Sequence, residues 1–258
     1  MPWEEVIQIM KNVMERPALL KSADKLPLAF CPGCQNPTVG RLIAEVLEEM
    51  KAGVKAVGCL GIGCSSFIGF MLDVDLINGP HGRAPDLATG AKRMHPDNLV
   101  FTIQGDGDLL SIGAESLMGA LARSEKITII MINNTVYGTT GGQAAPTSLV
   151  GQMTATTPRG KDAAEFGYPV HAAEMIATFK GVAYSARGAV NTFANFMSTR
   201  KYVRTAFEQQ QEGAGLTFVE ILTPCPTNWH MSPVKSLTWL GETLIQEYPL
   251  GEFKNARS

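Results

Sequence analysis

Along the chain, short unbroken apolar runs alternate with longer stretches in which apolar residues recur every three or four positions. The runs at 99–103 (LVFTI), 127–132 (ITIIMI) and 217–222 (TFVEIL), with a further one at 54–57 (VKAV), predict buried strands. Helical spacing predicts helices over 39–50, 111–122, 194–209 and 233–247, and 175–189 (MIATFKGVAYSARGA) reads as helix, strand and turn. Asn36 followed by Pro37 predicts a capped start for the first helix, because a side-chain amide can satisfy free N–H groups and proline fits the first turn. Strands alternating with helices predict an α/β fold, a single domain with a mostly parallel sheet flanked by helices. Near the N-terminus, 3–14 (WEEVIQIMKNVM) places Val6, Ile7, Met10, Val13 and Met14 on one helical face, and 16–27 is a linker with little periodicity. The expected division is a helical arm at 1–27 and one domain at 28–258. The polar, turn-rich segment 144–160 predicts a long functional loop, and 253–258 a polar tail.

Composition narrows the class. A chain of 258 residues that is 45% hydrophobic with a formal charge of −2 can bury a sizeable core and is not disordered. The balanced charge gives no electrostatic footing for nucleic acid, and the basic cluster 201–204 reads as a solvated helix face. Trp3-Glu4-Glu5 has the wrong sign for a secretory signal, and no run approaches the roughly 18 apolar residues of a membrane span. The expected location is cytoplasmic, with no membrane partner.

The chemistry gathers at the ends of the predicted strands. Gly105-Asp106-Gly107-Asp108 follows the strand at 99–103, and Asn133-Asn134 closes the strand at 127–132. A right-handed strand–helix–strand unit brings both strand ends to one sheet edge, so Asp106 and Asn134 share a crevice. A carboxylate and an amide oxygen beside a glycine-rich turn suit Mg²⁺ carrying a diphosphate. Cys31 and Cys34 (CPGC) sit before a helix start, while Cys64 (GIGCSS) and Cys225 (TPCPT) each follow a predicted strand. A lone CxxC leaves zinc, a redox disulfide and no role open, and the absence of a second CxxC weakens zinc. Four thiolates converging on the same edge suit a [4Fe–4S] cluster. Cys59 reads as a small buried hydrophobe.

GDG followed about 25 residues later by NN, with VYGTTGGQ beginning at Val136, resembles the thiamine-diphosphate motif of the β subunit of the 2-oxoacid:ferredoxin oxidoreductases across about residues 28–250. The resemblance implies thiamine diphosphate and Mg²⁺, the metal held by Asp106, Asn134 and the Val136 carbonyl. It implies cofactor contacts at Gly105, Gly107, Asp108, Gly138 and Thr140, and further ones at Ser65 and Ser66. The segment His81-Gly82-Arg83 before a small-residue helix is similar to the family's HGR, which implies that His81 is a catalytic or cofactor-site residue and Arg83 an anion contact. His95, His171 and His230 read as surface or core histidines. Cys31, Cys34, Cys64 and Cys225 match the family's [4Fe–4S] ligands.

The implied function is oxidative decarboxylation of a 2-oxoacid to acyl-coenzyme A and CO₂. The electrons pass through the cluster to ferredoxin or a similar acceptor. The implied partners are an α subunit and γ/δ-type subunits of the same complex. The alternative is a non-redox thiamine-dependent 2-oxoacid decarboxylase subunit. One departure bears on substrate preference: the family's CPGC-Gly-His is Gln35-Asn36 here.

Overall fold

The computed structural model describes residues 16–21 and 30–257. The expected N-terminal helix at 3–14 lies outside the described residues, as does most of the linker. Where the linker is described, Leu20 forms an isolated antiparallel bridge with Leu72, and the Lys21 N–H donates to the Met71 carbonyl (2.8 Å).

The chain builds α1 (Asn36–Glu49), β1 (Ala56–Leu60), α2 (Ser66–Phe70), β2 (Asp75–Asn78), α3 (Ala84–Met94) and β3 (Leu99–Gly105). A π-turn (Asp108–Ile112) leads into α4 (Ala114–Ala122), then β4 (Thr128–Asn133) and a small hairpin of β5 (Val136–Tyr137) and β6 (Gln143–Ala144). Two short helices follow, α5 (Ala163–Phe166) and α6 (Ala172–Ala177), then β7 (Val182–Ala189), α7 (Phe193–Gln211) and β8 (Leu216–Leu222). The chain closes through α8 (Pro233–Trp239), a π-turn (Leu240–Leu244), α9 (Ile245–Glu247) and β9 (Gly251–Asn255).

Seven strands form one sheet in the order β2-β1-β3-β4-β8-β7-β9. All neighbours run parallel except β7 and β9, which pair antiparallel. The strand residues divide by parity between two cores. Phe101, Ile103, Ile130, Ile132, Val219 and Ile221 pack on one face, against Leu42, Ile43 and Leu47 of α1 and Val203 and Phe207 of α7. Val100, Ile129, Met131 and Phe218 pack on the other, against Ala84 and Ala88 of α3, Leu117 and Leu121 of α4 and Ile176 of α6. A strand buried on both faces is apolar throughout, which is why these runs are so legible. Each such side chain contributes about 1.5–3 kcal/mol of transfer free energy.

The structure shifts several predicted elements. The first strand runs Ala56–Leu60, not 54–57: residues 53–55 form a 3-10 turn and Val54 is 96% exposed. The helix expected from 111 begins at Ala114, because Gly113 is pressed against Gly82, whose carbonyl oxygen lies 2.6 Å from any added Cβ. Asn36 does not cap α1; Gln35 is the N-cap without a side-chain bond, and Asn36 is buried in the first turn with its Oδ1 unpartnered. The turn expected at the end of 175–189 is absent, since β7 runs on to Ala189, and the expected tail from 253 is largely β9.

Candidate active site

The strand order places a switch point between β1 and β3: the chain leaves β1 toward β2 and leaves β3 toward β4. Open α/β sheets bind ligands at such a point, outside the carboxyl ends of the strands. The loops after β1 and β3 here flank a crevice. Ile62, Gly63, Cys64 and Ser65 line it on one side and Gly105 to Asp108 on the other. Asn134, Val136, Gly138, Thr140 and His81 complete the wall. Most of the expected cofactor residues thus lie around one opening. Ser66 does not: its hydroxyl is buried and donates to the Gly61 carbonyl (2.6 Å), bracing the loop from behind.

Asp106 is 2% exposed. Its Oδ1 accepts the Gly107 N–H (2.9 Å) and its Oδ2 accepts the Thr147 hydroxyl. Burial, the largest influence, pushes its pKa up to about 7 despite these donors. Asn134 Oδ1 accepts the Val136 N–H (3.1 Å), and the Asn134 carbonyl accepts the Trp229 indole N–H (3.0 Å). Asp106, Asn134 and Val136 line the same crevice, and a carboxylate, an amide oxygen and a main-chain carbonyl are donor types fit for a hard divalent cation. Ser65 is 4% exposed and its Oγ has no partner, so the crevice wall holds a buried hydroxyl available to a ligand.

Asp108, expected to touch cofactor, lines the crevice and is also a buried brace. Its Oδ1 accepts the N–H groups of Gly82 (2.8 Å) and Ile62 (3.3 Å), its Oδ2 accepts the Gln104 amide (2.6 Å), and His81 Nδ1 lies against Oδ1. Gly82 takes φ +79 here, and an added Cβ would meet Gly113 N at 2.6 Å. The brace therefore fixes the His81 ring with Nδ1 inward. Arg83 is occupied by Glu115 and the Ser116 hydroxyl (2.9 Å), away from the role of anion contact. His171 sits between Glu174 and Glu247, while His95 and His230 are exposed and outside the crevice.

The four cysteines from three segments approach one another beside this crevice. Burial pushes the Cys34 thiol up to about 12, with smaller upward contributions from Cys225, Cys64 and Cys31 nearby. Cys225 is raised by burial too, against which Asn228 donates to its sulfur (side-chain N to S 3.3 Å). Cys64 Sγ contacts Thr139 Oγ1 (3.0 Å) and would lie 3.4 Å from a Cβ on Gly138. Neighbouring thiolates would repel one another, and a cation among them favours the ionised form, so the donor chemistry fits an iron–sulfur cluster. Among the described residues, however, no three His, Cys, Asp or Glu side chains are drawn together as a ready metal cage. Cys59 lies in β1, fully buried and apart from this group.

Residues 56–221 match the family described as thiamine pyrophosphate enzyme, C-terminal TPP binding domain. The ketoisovalerate oxidoreductase subunit VorA of Methanothermobacter thermautotrophicus is 37% identical over 226 residues, 88% of this chain and 47% of that protein. The 2-oxoglutarate synthase subunit KorB of Archaeoglobus fulgidus is 33% identical over 244 residues, 90% of this chain and 86% of that protein. The chain belongs to the thiamine-diphosphate-binding β-type subunits of the 2-oxoacid oxidoreductases. A solved structure, 2-oxoglutarate:ferredoxin oxidoreductase from Magnetococcus marinus with 2-oxoglutarate, coenzyme A and succinyl-CoA bound, superposes with a TM-score of 0.72 at 26% identity. The match covers 94% of this chain and 85% of that one. The chain spans about half the length of the VorA relatives it matches.

Set on this oxidoreductase fold, several site residues had no sequence signal strong enough to single them out. Thr147 reaches Asp106 from the 144–160 loop, and Trp229 and Asn228 hold the Asn134–Gly138 turn from the segment after Cys225. The loop itself is no open flap: Thr147 and Ser148 are fully buried, and the Lys161 ammonium donates to the Ser148 carbonyl (2.8 Å). Two adjacent hydroxyl residues before Leu149, in an otherwise small-residue loop, were the available hint.

Proposed function

We propose that this chain, its residues 28–258 working as one domain, is the catalytic β subunit of a 2-oxoacid:ferredoxin oxidoreductase. The reaction converts a 2-oxoacid and coenzyme A to acyl-coenzyme A and CO₂, and passes electrons to ferredoxin or a similar acceptor. Its partners are α and γ/δ-type subunits of a cytoplasmic complex. The observation that supports this reading is that two chemistries adjoin: Asp106, Asn134 and Val136 line the switch-point crevice with Cys64, and Cys64 lies near Cys31, Cys34 and Cys225. A non-redox decarboxylase has no use for the second set. Relatives named for ketoisovalerate and for 2-oxoglutarate point to 2-oxoacids as the substrate class.

Thiamine diphosphate, when bound, supplies the carbanion chemistry that releases CO₂ from a 2-oxoacid. Asp106, Asn134 and the Val136 carbonyl would hold Mg²⁺ and so neutralise the diphosphate. Ser65 would offer its free hydroxyl, and Gly105 leaves open space, its nearest neighbour to an added Cβ being Ser65 Oγ at 3.6 Å. His81, its Nδ1 against Asp108, presents Nε2 as the nitrogen free to exchange a proton at the crevice. The cysteines would hold a [4Fe–4S] cluster that accepts electrons singly.

The test is anaerobic purification of the full complex, with iron and acid-labile sulfide analysis, calorimetric titration of thiamine diphosphate with Mg²⁺, and coenzyme A-dependent viologen reduction on a panel of 2-oxoacids. Expected are a brown protein, Mg²⁺-dependent cofactor binding lost in Asp106→Ala, and reduction with at least one 2-oxoacid. Colourless, iron-free protein that still releases CO₂ from a 2-oxoacid returns the non-redox reading.

A further inference from the structure

Among the described residues, the largest fully buried side chain is a charged one, Arg187 in β7. It is in register with Glu220 of β8, and its Nε donates to Glu220 Oε2 (2.8 Å). The remaining edge of the guanidinium faces Glu174 and the Pro249 carbonyl (Nη1 to each, 2.8 and 3.0 Å). Its carbon lies 5.1 Å from the Tyr248 ring centre and 4.9 Å from that of Phe253. A buried ion pair inside a sheet is seldom a source of stability, since apolar residues of similar volume fill the space as well. What distinguishes this pair is where its two sides lead.

On one side, Glu220 Oε1 accepts the Asn133 amide (2.7 Å), and Asn133 Oδ1 accepts the Thr135 N–H (3.1 Å). Thr135 has φ +62, a conformation rare for a β-branched residue, which persists only when its surroundings hold it. Asn134 and Val136, on either side of that left-handed residue, both line the crevice. On the other side, the Tyr248 hydroxyl donates to the Thr147 carbonyl (2.7 Å), and the Thr147 hydroxyl donates to Asp106 Oδ2. Asn133, Thr135, Thr147, Glu220 and Tyr248 are all fully buried.

We propose that Arg187 is the positioning residue for both metal-holding arms of the crevice. Its edge sets the Asn134 turn through Glu220 and Asn133, and its face sets Asp106 through Tyr248 and Thr147. This rests on the reading that Asp106, Asn134 and Val136 hold the divalent cation. Lysine cannot replace it, because a point charge offers neither the planar fork nor the stacking face.

The experiment measures Mg²⁺ affinity, in the presence of thiamine diphosphate, for the full complex stripped of metal and cofactor. Urea midpoints are recorded alongside. Tyr248→Phe breaks one arm and Glu220→Gln weakens the other. Each is expected to lower Mg²⁺ affinity about ten-fold, the lower end of the loss usual when outer partners of metal ligands are removed. Their double variant should lose the product of the two factors, and Arg187→Lys should match it. A structural role alone would shift the urea midpoint and leave the affinity of the folded protein unchanged. Unchanged Mg²⁺ affinity in Tyr248→Phe and Glu220→Gln overturns the proposal while Asp106→Ala still loses the metal. Unchanged affinity in Asp106→Ala overturns the metal assignment and the proposal with it. Should Arg187→Lys fail to fold, the two milder variants decide.

Discussion

Ser65 and the cysteines are single residues whose environments make opposite demands. A buried hydroxyl without a partner costs about 1–3 kcal/mol of desolvation. Ser65→Ala is therefore expected to leave the cofactor-free protein as stable as the wild type or slightly more so. It should weaken thiamine diphosphate binding several-fold, which calorimetry and a thermal melt on the same samples read together. Loss of stability with unchanged affinity would make Ser65 a structural residue. Among the cysteines, Cys59 sits fully buried in β1 while Cys225 touches Asn228 beside Cys64 and Cys34. Cys225→Ser should strip iron and acid-labile sulfide from the complex. Cys59→Ser should retain both and lose only stability, about 1–3 kcal/mol for a hydroxyl placed in a fully buried position. The reverse pattern would exclude the assigned ligand set.

At the scale of elements, legibility followed burial and charge. Strands such as β3, β4 and β8, apolar on both faces, announced themselves, and with them the two strand ends that bring Asp106 and Asn134 together. β1 starts two residues and ends three residues later than its apolar run suggests because Gly58 and Cys59 carry little strand signal, although both are buried. The end of β7 was read as a turn because Arg187 looks like a surface residue until Glu220 is found opposite it. No local pattern announces a partner 33 residues away. The brace between the HGR loop and the π-turn was equally hidden, since Asp108 resembled a cofactor ligand in sequence and serves as a knot among three loops. That knot makes a prediction. Gly82→Ala forces a Cβ into a left-handed position and against Gly113, so it should destabilise the protein by about 1–3 kcal/mol and release His81 from Asp108. Urea unfolding reads the first effect and the His81 imidazole resonance in NMR the second. A neutral substitution would show that the loop relaxes around it.

For the whole molecule, one half-buried carboxylate and one buried one make stability depend on pH with opposite signs. Burial, the largest influence on Glu174, pushes its pKa up, but the hydrogen bonds and charge of Arg187 outweigh this and hold it below the usual carboxylate range. A depressed folded-state pKa contributes stability that is present above the unfolded value of about 4.3 and is lost as pH falls toward the folded one. Asp106 behaves in reverse: its pKa is pushed up to about 7 by burial, so the folded protein without metal binds that proton more tightly than the unfolded chain. Its contribution is fully present below the unfolded aspartate value of about 3.9 and disappears as pH rises through 7. A divalent cation at Asp106 reverses that loss, because the ionised form is the ligand. The expected result is a metal-free protein whose urea midpoint falls between pH 5 and about 7.5, and a stabilisation by Mg²⁺ that grows over the same range. Asp106→Asn should abolish both slopes above pH 5, whereas Glu174→Gln should flatten only the acid side below about pH 4.5. Mg²⁺ stabilisation that is independent of pH in the wild type would mean that the ion sits elsewhere, since a cation bound by Asp106 must compete with its proton.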